Sequence, residues 1–259
     1  MAHEKSQTEV HLTRNGPVAT IQFKSPAAVN IFSSRVIGDL GEIVEKVATD
    51  SQIRFVVFRG EGKIFLAGAD ISEMSQFSED QGRTFATKGH NVFNAIEALP
   101  QATFAAINGH ALGGGCELAM ACDFRLIITK AKIGQPETRL GLIPGWGGTQ
   151  RITRYMSLGR ARRLLFSGEQ ISAEEAHAIG LVDEVVATPE DLEPALEKWF
   201  DVLAPGSPAA IARVKRALHS RDEIGEFGKC FSCSDAKEGT KAFIEKRAPG
   251  WVSWKGESA

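Results

Sequence analysis

Residues 108–123 read Asn-Gly-His-Ala-Leu-Gly-Gly-Gly-Cys-Glu-Leu-Ala-Met-Ala-Cys-Asp. Three consecutive glycines, Gly113 to Gly115, follow an apolar strand-like run at 103–107 and precede a short helical run at 116–121. Glycine lets a ligand approach the backbone closely, and a helix N-terminus presents unpaired N–H groups. Together they make a site for an anion or a developing oxyanion. Glu117 falls in the first turn of that helix, beside those donors. A carboxylate next to an oxyanion hole can do acid/base chemistry on the same bound molecule. The same residues would also serve a tight helix–sheet contact, with Glu117 as a favourable first-turn charge. From this stretch alone both uses stand.

Such a turn needs elements to hold it. Two β-rich runs, 8–14 and 17–23, flank Asn15-Gly16, a hairpin signal. Ser33 or Ser34 caps a predicted helix reaching Thr49, with Val36, Ile37, Leu40, Ile43, Val44 and Val47 on one face. Residues 53–59 read as a strand buried on both faces. Small residues at 65–71 enter a loop and then a helix, and 81–99 is an amphipathic helix stopped by Pro100. Another apolar strand is expected at 123–129. Residues 133–150 are rich in glycine and proline, the composition of a functional loop inside a domain. Helices follow at 148–156 and 159–166. Ser172 to Glu175 form a capping box for another, closed by Gly180, and 181–186 is a final strand. Only helices are expected beyond Pro189: 190–203, 209–219, 225–234 and 235–246. The alternation of strand and helix thus gives way to an all-helical tail near 190–205, the best candidate boundary.

Composition excludes several classes. A chain of 259 residues is one large domain or a domain with an appendage. Its net charge of −2 offers no electrostatic case for nucleic acid. No apolar run approaches the roughly 20 residues that span a bilayer. The start, Met1 to Lys5, lacks a secretory or transit pattern, so a cytosolic location or a mature chain cut from a leader is expected. Four cysteines are too few for a disulfide framework and suggest a reducing compartment. Cys230 and Cys233 have CxxC spacing without a second ligand pair, so packing is expected rather than metal or redox work. Gly60-Glu61-Gly62-Lys63 lacks the spacing of a phosphate loop.

Five motifs in order resemble the crotonase superfamily, specifically the enoyl-CoA hydratases. They are Leu66-Ala-Gly-Ala-Asp-Ile71, Asn108 through Ala119, Gly134-Gln-Pro-Glu137, Gly141-Leu-Ile-Pro-Gly-Trp-Gly-Gly-Thr-Gln-Arg151, and Phe243-Ile-Glu-Lys-Arg247. The resemblance covers nearly the whole chain. It implies an α/β fold, a spiral of ββα turns, with a C-terminal all-helical region that mediates trimers, which commonly pair into hexamers. On that frame, residues 1–195 are the spiral core with the CoA and acyl sites, and 196–259 the oligomerisation region. The resemblance also implies site residues. Glu117 and Glu137 match the hydratase glutamates. Backbone N–H groups of Ala69 and Gly114 match the oxyanion hole, and Gly145 matches a position that helps hold water. CoA would lie along Ala27, Ala28, Val29, Lys63, Leu66, Ala67, Gly68, Asp70 and Ile71. Met74, Leu112, Ile143 and Trp146 would wall the acyl pocket, with Trp146 favouring a short or flat group, while Phe77 and Phe85 carry bulk nearby and Phe85 is expected in the core.

The implied activity is reversible addition of water across the 2,3 double bond of a short-chain enoyl-CoA, with no cofactor and no metal, since CoA belongs to the substrate. The presence of both glutamates favours hydration over double-bond isomerisation, because family members that isomerise often lack one. Two positions depart from common family residues: Ala27, where many relatives carry a charge, and Ile31-Phe32 after Asn30. Lys63 and a neighbouring subunit's Lys246 are candidate CoA contacts. One branch of the family binds RNA through a lysine-rich early helix. Here residues 33–49 carry Arg35 and Lys46 against Asp39, Glu42 and Glu45, which argues against that role.

Overall fold

The computed structural model describes residues 8–251 and 254; the leader assessment at Met1 to Lys5 and the last residues of the 196–259 region lie outside them. Ten strands form two sheets among these residues. The larger has the order β1-β2-β3-β5-β7-β10. Its strands are β1 (Glu9–Asn15), β2 (Val18–Lys24), β3 (Phe55–Gly60), β5 (Ala102–Ile107), β7 (Phe124–Ile128) and β10 (Glu184–Val186). Only β1 and β2, joined by the Asn15-Gly16 turn, pair antiparallel; the other neighbours are parallel. The second sheet, β4-β6-β8-β9, is built of β4 (Ile64–Leu66), β6 (His110–Leu112), β8 (Lys132–Gly134) and β9 (Gln170–Ser172).

Each turn of the chain sends a long strand into the first sheet, a short one into the second, and then a helix. So β3 leads to β4, then α2 (Ile71–Met74) and α3 (Glu79–Glu97); β5 leads to β6 and α4 (Gly114–Ala121). In the same way β7 leads to β8, a 3-10 turn (Glu137–Leu140), α5 (Gly148–Arg151) and α6 (Leu158–Ser167). This is the expected spiral of ββα turns. The chain then adds α7 (Ala173–Ala178) before β10, and beyond that strand α8 (Leu192–Leu203), α9 (Pro208–Ser220), α10 (Glu223–Cys230) and α11 (Ser234–Glu245), the all-helical tail.

The early helix α1 (Ser34–Thr49) is capped by the Ser33 hydroxyl, which accepts from Val36 N–H. It buries Val36, Ile37, Leu40, Val44 and Val47, while Ile43 is only partly covered. Three expectations shift. Helix α3 starts earlier because Ser78 and Gln81 close a capping box. The predicted helix at 148–156 is α-helical only to Arg151 and then tightens into a 3-10 turn, Ile152–Arg154. The last strand begins at Glu184 because the N–H groups of Leu181 and Val182 turn back to the Ala176 carbonyl, closing α7.

Two buried asparagines tie the short strands to their surroundings. Asn30 donates to the carbonyls of Glu61 (3.1 Å), Ile64 (2.9 Å) and Phe65 (3.3 Å), fixing the turn before α1 against β4. Asn108 accepts from Gly60 N–H and donates to the Gly62 carbonyl, both at 2.9 Å. Each satisfies backbone groups that irregular chain would otherwise leave buried and unpaired.

Candidate active site

Helix α4 is wholly buried, and Glu117 with it, at 2% exposure. A lone carboxylate in that position would be costly. Two backbone donors answer it: Trp146 N–H and Gly148 N–H each reach Glu117 Oε1 at 2.8 Å. These donors belong to the glycine-rich stretch after Pro144. Gly148 sits so close that a Cβ there would lie 3.0 Å from Glu117 Oε1. Burial pushes the Glu117 carboxyl up to about 7, against the pull of the two N–H bonds and of the Arg151 charge.

Glu137 opens the 3-10 turn after β8 and is half-buried. Burial pushes it up to about 7 as well; its own backbone N–H lowers it and the nearby Glu117 charge raises it. Gln135, 1% exposed, donates to Glu137 Oε1 at 2.7 Å and Oε2 at 3.1 Å once its amide nitrogen faces the carboxylate. A Cβ on Gly113 would lie 3.2 Å from Glu137 Oε1, so this carboxyl lies over the glycine turn.

That turn meets the Ala67-Gly68-Ala69 loop. Gly113 has φ 54° and Gly68 has φ 98°, conformations that favour glycine. A Cβ on Gly68 would lie 3.7 Å from Gly114 N, so the two loops touch. Around Ala69, Phe32 N–H donates to Gly68 O and Asp70 N–H to Phe32 O, each at 2.8 Å. In a parallel bridge this turns the Ala69 N–H away from Phe32. Gly114 is the first residue of its helix, so its N–H has no partner within the helix. Neither N–H finds a protein acceptor among the described residues. The structure therefore brings together Glu117, Glu137, Ala69 and Gly114, from three separate stretches of chain.

The remaining expected residues fall in several places. Ala28 and Val29 lie in the turn before Asn30; Ala28 N–H donates to Ser25 O at 2.9 Å, and its φ of 57° is a left-handed conformation that costs a non-glycine residue about 1–2 kcal/mol. Ala27, Lys63 and Ile71 are exposed, and Ala67 is half-buried. At two further expected CoA positions the side chains are engaged within the protein. Leu66 is fully buried in the core, and the Asp70 carboxylate is used as the cap of α2, accepting from Ser72 and Glu73 N–H. Gly145 is exposed, but the neighbouring residues Trp146 and Gly148, not Gly145, supply the N–H groups that hold Glu117.

Met74 and Leu112 are partly exposed and Ile143 is 73% exposed, which leaves them free to meet a ligand. Trp146 is 3% exposed. Its ring packs edge-on against Phe32, Phe85 and Phe93, with centroids 5.2–5.5 Å apart, and it backs directly onto Gly114. The tryptophan is thus a floor beneath the oxyanion turn rather than an open wall. Phe85 joins the same cluster, with Phe77 against it. Cys230 and Cys233 each point their sulfur at a carbonyl four residues back, at 3.4 and 3.6 Å, as packed helix-end thiols do. Among the described residues no group of three or more His, Cys, Asp or Glu is placed to hold a metal. No described helix is long and apolar enough to cross a membrane.

Sequence reasoning missed Gln135 and the two N–H donors on Glu117. The signal for the donors was the Gly147-Gly148 pair, read only as part of a functional loop and used as a carboxylate clamp. A spiral of ββα turns that gathers one buried and one half-buried carboxyl beside two unpaired backbone N–H groups has the crotonase architecture and offers groups suited to acid/base chemistry. Residues 13–254 match the family described as enoyl-CoA hydratase/isomerase, and the chain belongs to that family. It is 39% identical over 249 residues to the short-chain-enoyl-CoA hydratase of Clostridium acetobutylicum, covering 92% of this chain and 95% of the relative. It is 38% identical over 264 residues to the crotonyl-CoA hydratase of Syntrophomonas wolfei, covering 98% and 100%. Among solved structures, an enoyl-CoA hydratase from Bacillus anthracis superposes with a TM-score of 0.84 at 35% identity, over 96% of this chain and 99% of that one. DspI from Pseudomonas aeruginosa gives a TM-score of 0.87 at 31% identity, with the same coverage of each chain.

Proposed function

We propose that the protein is a hydro-lyase that adds water reversibly to a short-chain trans-2-enoyl-CoA, giving the 3-hydroxyacyl-CoA. The observation that carries this is the carboxyl pair: buried Glu117, gripped by Trp146 and Gly148 N–H, and half-buried Glu137 over the glycine turn, beside two unpaired N–H groups; burial raises both carboxyls. The thioester oxygen accepts from Ala69 and Gly114 N–H, and these donors stabilise the enolate that forms as water attacks the β-carbon. Losing one such donor typically costs about 3 kcal/mol. A water held between the carboxyls gives a proton to one as it attacks, and the α-carbon takes a proton from the site. Groups poised near 7 can both accept and return a proton at neutral pH.

Under the same proposal CoA runs along the 27–29 turn and the 63–68 loop, while Met74, Leu112 and Ile143 border the acyl group over the Trp146 floor. No further cofactor is needed. The assembly is a homotrimer or a pair of trimers, in the cytoplasm. The tail supports an assembly: Leu218, Ile224, Phe227, Phe231, Phe243 and Ile244 are 62–88% exposed.

The test is loss of the conjugated thioester's ultraviolet absorbance over a panel of linear, branched and cyclic enoyl-CoAs. Glu117→Gln and Glu137→Gln should each lower hydration of the best substrate by orders of magnitude. Hydration at wild-type rate in both variants overturns the mechanism. Migration of the double bond without hydration assigns the chain to the isomerase side of its family.

A further inference from the structure

Behind Glu117 lies a second buried charge that the chemistry above does not use. Arg151, the last residue of α5, is 2% exposed. Its Nη1 donates to the Trp146 carbonyl at 2.8 Å, and Nη2 donates to Asn94 Oδ1 at 2.7 Å. Nε and Nη2 both reach Glu97 Oε2, at 3.1 and 2.9 Å. Trp146 therefore has both backbone groups engaged: its N–H on Glu117 and its C=O on Arg151. Gly147, between the two clamp donors, has φ 105°, and a Cβ there would run into Arg151 Nη1. The glycine is what lets the guanidinium close on the loop.

Resting on the hydratase reading, we infer that Arg151 is the positioning residue of this site: it locks the loop that grips Glu117 and places a fixed positive charge behind that carboxylate. Glu97 is the anchor that holds Arg151 in turn. It also meets Arg154, and His219 of the tail helix α9 lies 3.8 Å away. Geometry alone supports the lock. The charge effect agrees with the electrostatics: Arg151 lowers the proton affinity of Glu117, opposing burial. The other ionisable groups facing Glu117 are Glu137 and Cys116, both buried or half-buried carriers of negative charge when ionised. Cys122 faces Arg151, and Tyr155 faces Glu97.

A purely structural arginine and a charge-setting one differ in the pH profile. Removing the positive charge in Arg151→Met should move the limb belonging to the carboxyl pair to higher pH by about one unit. Loosening the loop should also lower kcat, on the order of a hundredfold. Arg151→Lys keeps the charge but cannot reach Trp146, Asn94 and Glu97 in one plane. It should return the limb towards its wild-type position while recovering only part of kcat. Glu97→Gln keeps an acceptor for Arg151 and removes the compensating negative charge, so the limb should move the other way, to lower pH. Opposite shifts from two partners of one ion pair are not expected from loss of packing.

The experiment is the kcat profile from pH 5 to 9 on the best enoyl-CoA, with infrared difference spectra of the Glu117 carboxyl, assigned by its absence in Glu117→Gln. A limb unmoved in folded Arg151→Met overturns the inference, as does a shift of the same sign in Glu97→Gln. If Arg151→Met fails to fold, Arg151→Lys and Glu97→Gln decide it alone: a wild-type limb in the latter overturns it. If the wild type hydrates no enoyl-CoA, the functional reading fails by itself, and the infrared titration of Glu117 still decides the role of Arg151.

Discussion

The two sheets of this protein are held together differently. The large one has six strands, five of them of five to seven residues and β10 of three, and its interior is side chains: Phe55, Phe58, Phe104, Ile107, Leu126 and Ile127 are all at or below 1% exposure. The small one has four strands of three residues, and at the glycines facing them backbone lies directly against backbone. A Cβ on Gly60 would press on the Ile64 and Phe65 carbonyls, on Gly109 on that of Lys63, on Gly115 on that of Leu66, and on Gly134 on that of Glu169. Both unpaired N–H groups and both carboxyls are carried just beyond the C-terminal ends of β4, β6 and β8 in this small sheet. The large sheet stabilises by area buried; the small one sets distances, which is what a site requires.

The sharpest way to break that comparison is Gly115→Ala. The added methyl meets a carbonyl oxygen and the Cβ of Leu66, so β4 and α4 must separate. Overpacking typically costs about 1–3 kcal/mol and occasionally more, and contact with backbone belongs at the upper end. Activity should suffer more than stability, because separating α4 from the 66–69 loop pulls Gly114 N–H away from Ala69 N–H. A loss of hydration of at least about a hundredfold is expected. Urea unfolding and initial rates, measured on the same preparation, would check it. A variant that unfolds earlier yet keeps its turnover would show that the small sheet does not set the site.

The same contrast explains what could be read from the sequence. The long strands and amphipathic helices announce themselves by apolar runs and period, and α1, β3, β5 and α3 fall within a few residues of expectation. The strands of the small sheet do not. Ile64–Leu66, His110–Leu112 and Lys132–Gly134 are too short for any period, and their pairing depends on glycines far away in sequence. Of the site, Glu117 was visible from local chemistry as one of two uses, since a carboxylate beside the N–H groups of a glycine-rich helix start suits acid/base work as well as a first-turn charge. Glu137, Ala69 and Gly114 came only through family resemblance. Gln135 and the Trp146 and Gly148 donors were hidden, because a backbone N–H carries no signature in side-chain identity.

A second effect separates function from stability at Glu117 itself. Its folded-state value near 7 lies above the ordinary 4.5, so the folded protein disfavours the ionised form. Below the ordinary value both states hold the proton and nothing is lost. As pH rises from there towards 7 stability falls, and above 7 the loss is complete, about 3 kcal/mol for this shift. Glu117→Gln keeps an oxygen to accept from Trp146 and Gly148 and removes the titration. It should be more stable than wild type by about 1–3 kcal/mol at pH 8 and equal to it at pH 4. Unfolding midpoints across that range check the sign. A variant less stable at pH 8 would mean that the charged form is the one the clamp favours.

The smallest expected effect tests the other side of the comparison. Phe104 in β5 is fully buried, with ring contacts to Phe55, Phe124, Trp199 and Phe200 at 5.2–6.4 Å. Phe104→Leu removes part of that packing and leaves a gap the neighbours only partly fill, a cost of about 1–2 kcal/mol. Its aromatic cluster lies on the side of the large sheet that faces α8, while the Phe32, Phe85, Phe93 and Trp146 cluster floors the site. With no shared ring between the two clusters, a loosened Phe104 has no direct route to Gly114. Turnover and KM at 25 °C should therefore stay within about twofold while the urea midpoint falls. A drop in kcat as large as that from a small-sheet substitution would show that the two sheets form one mechanical unit, and that area buried under the large sheet sets the catalytic distances too.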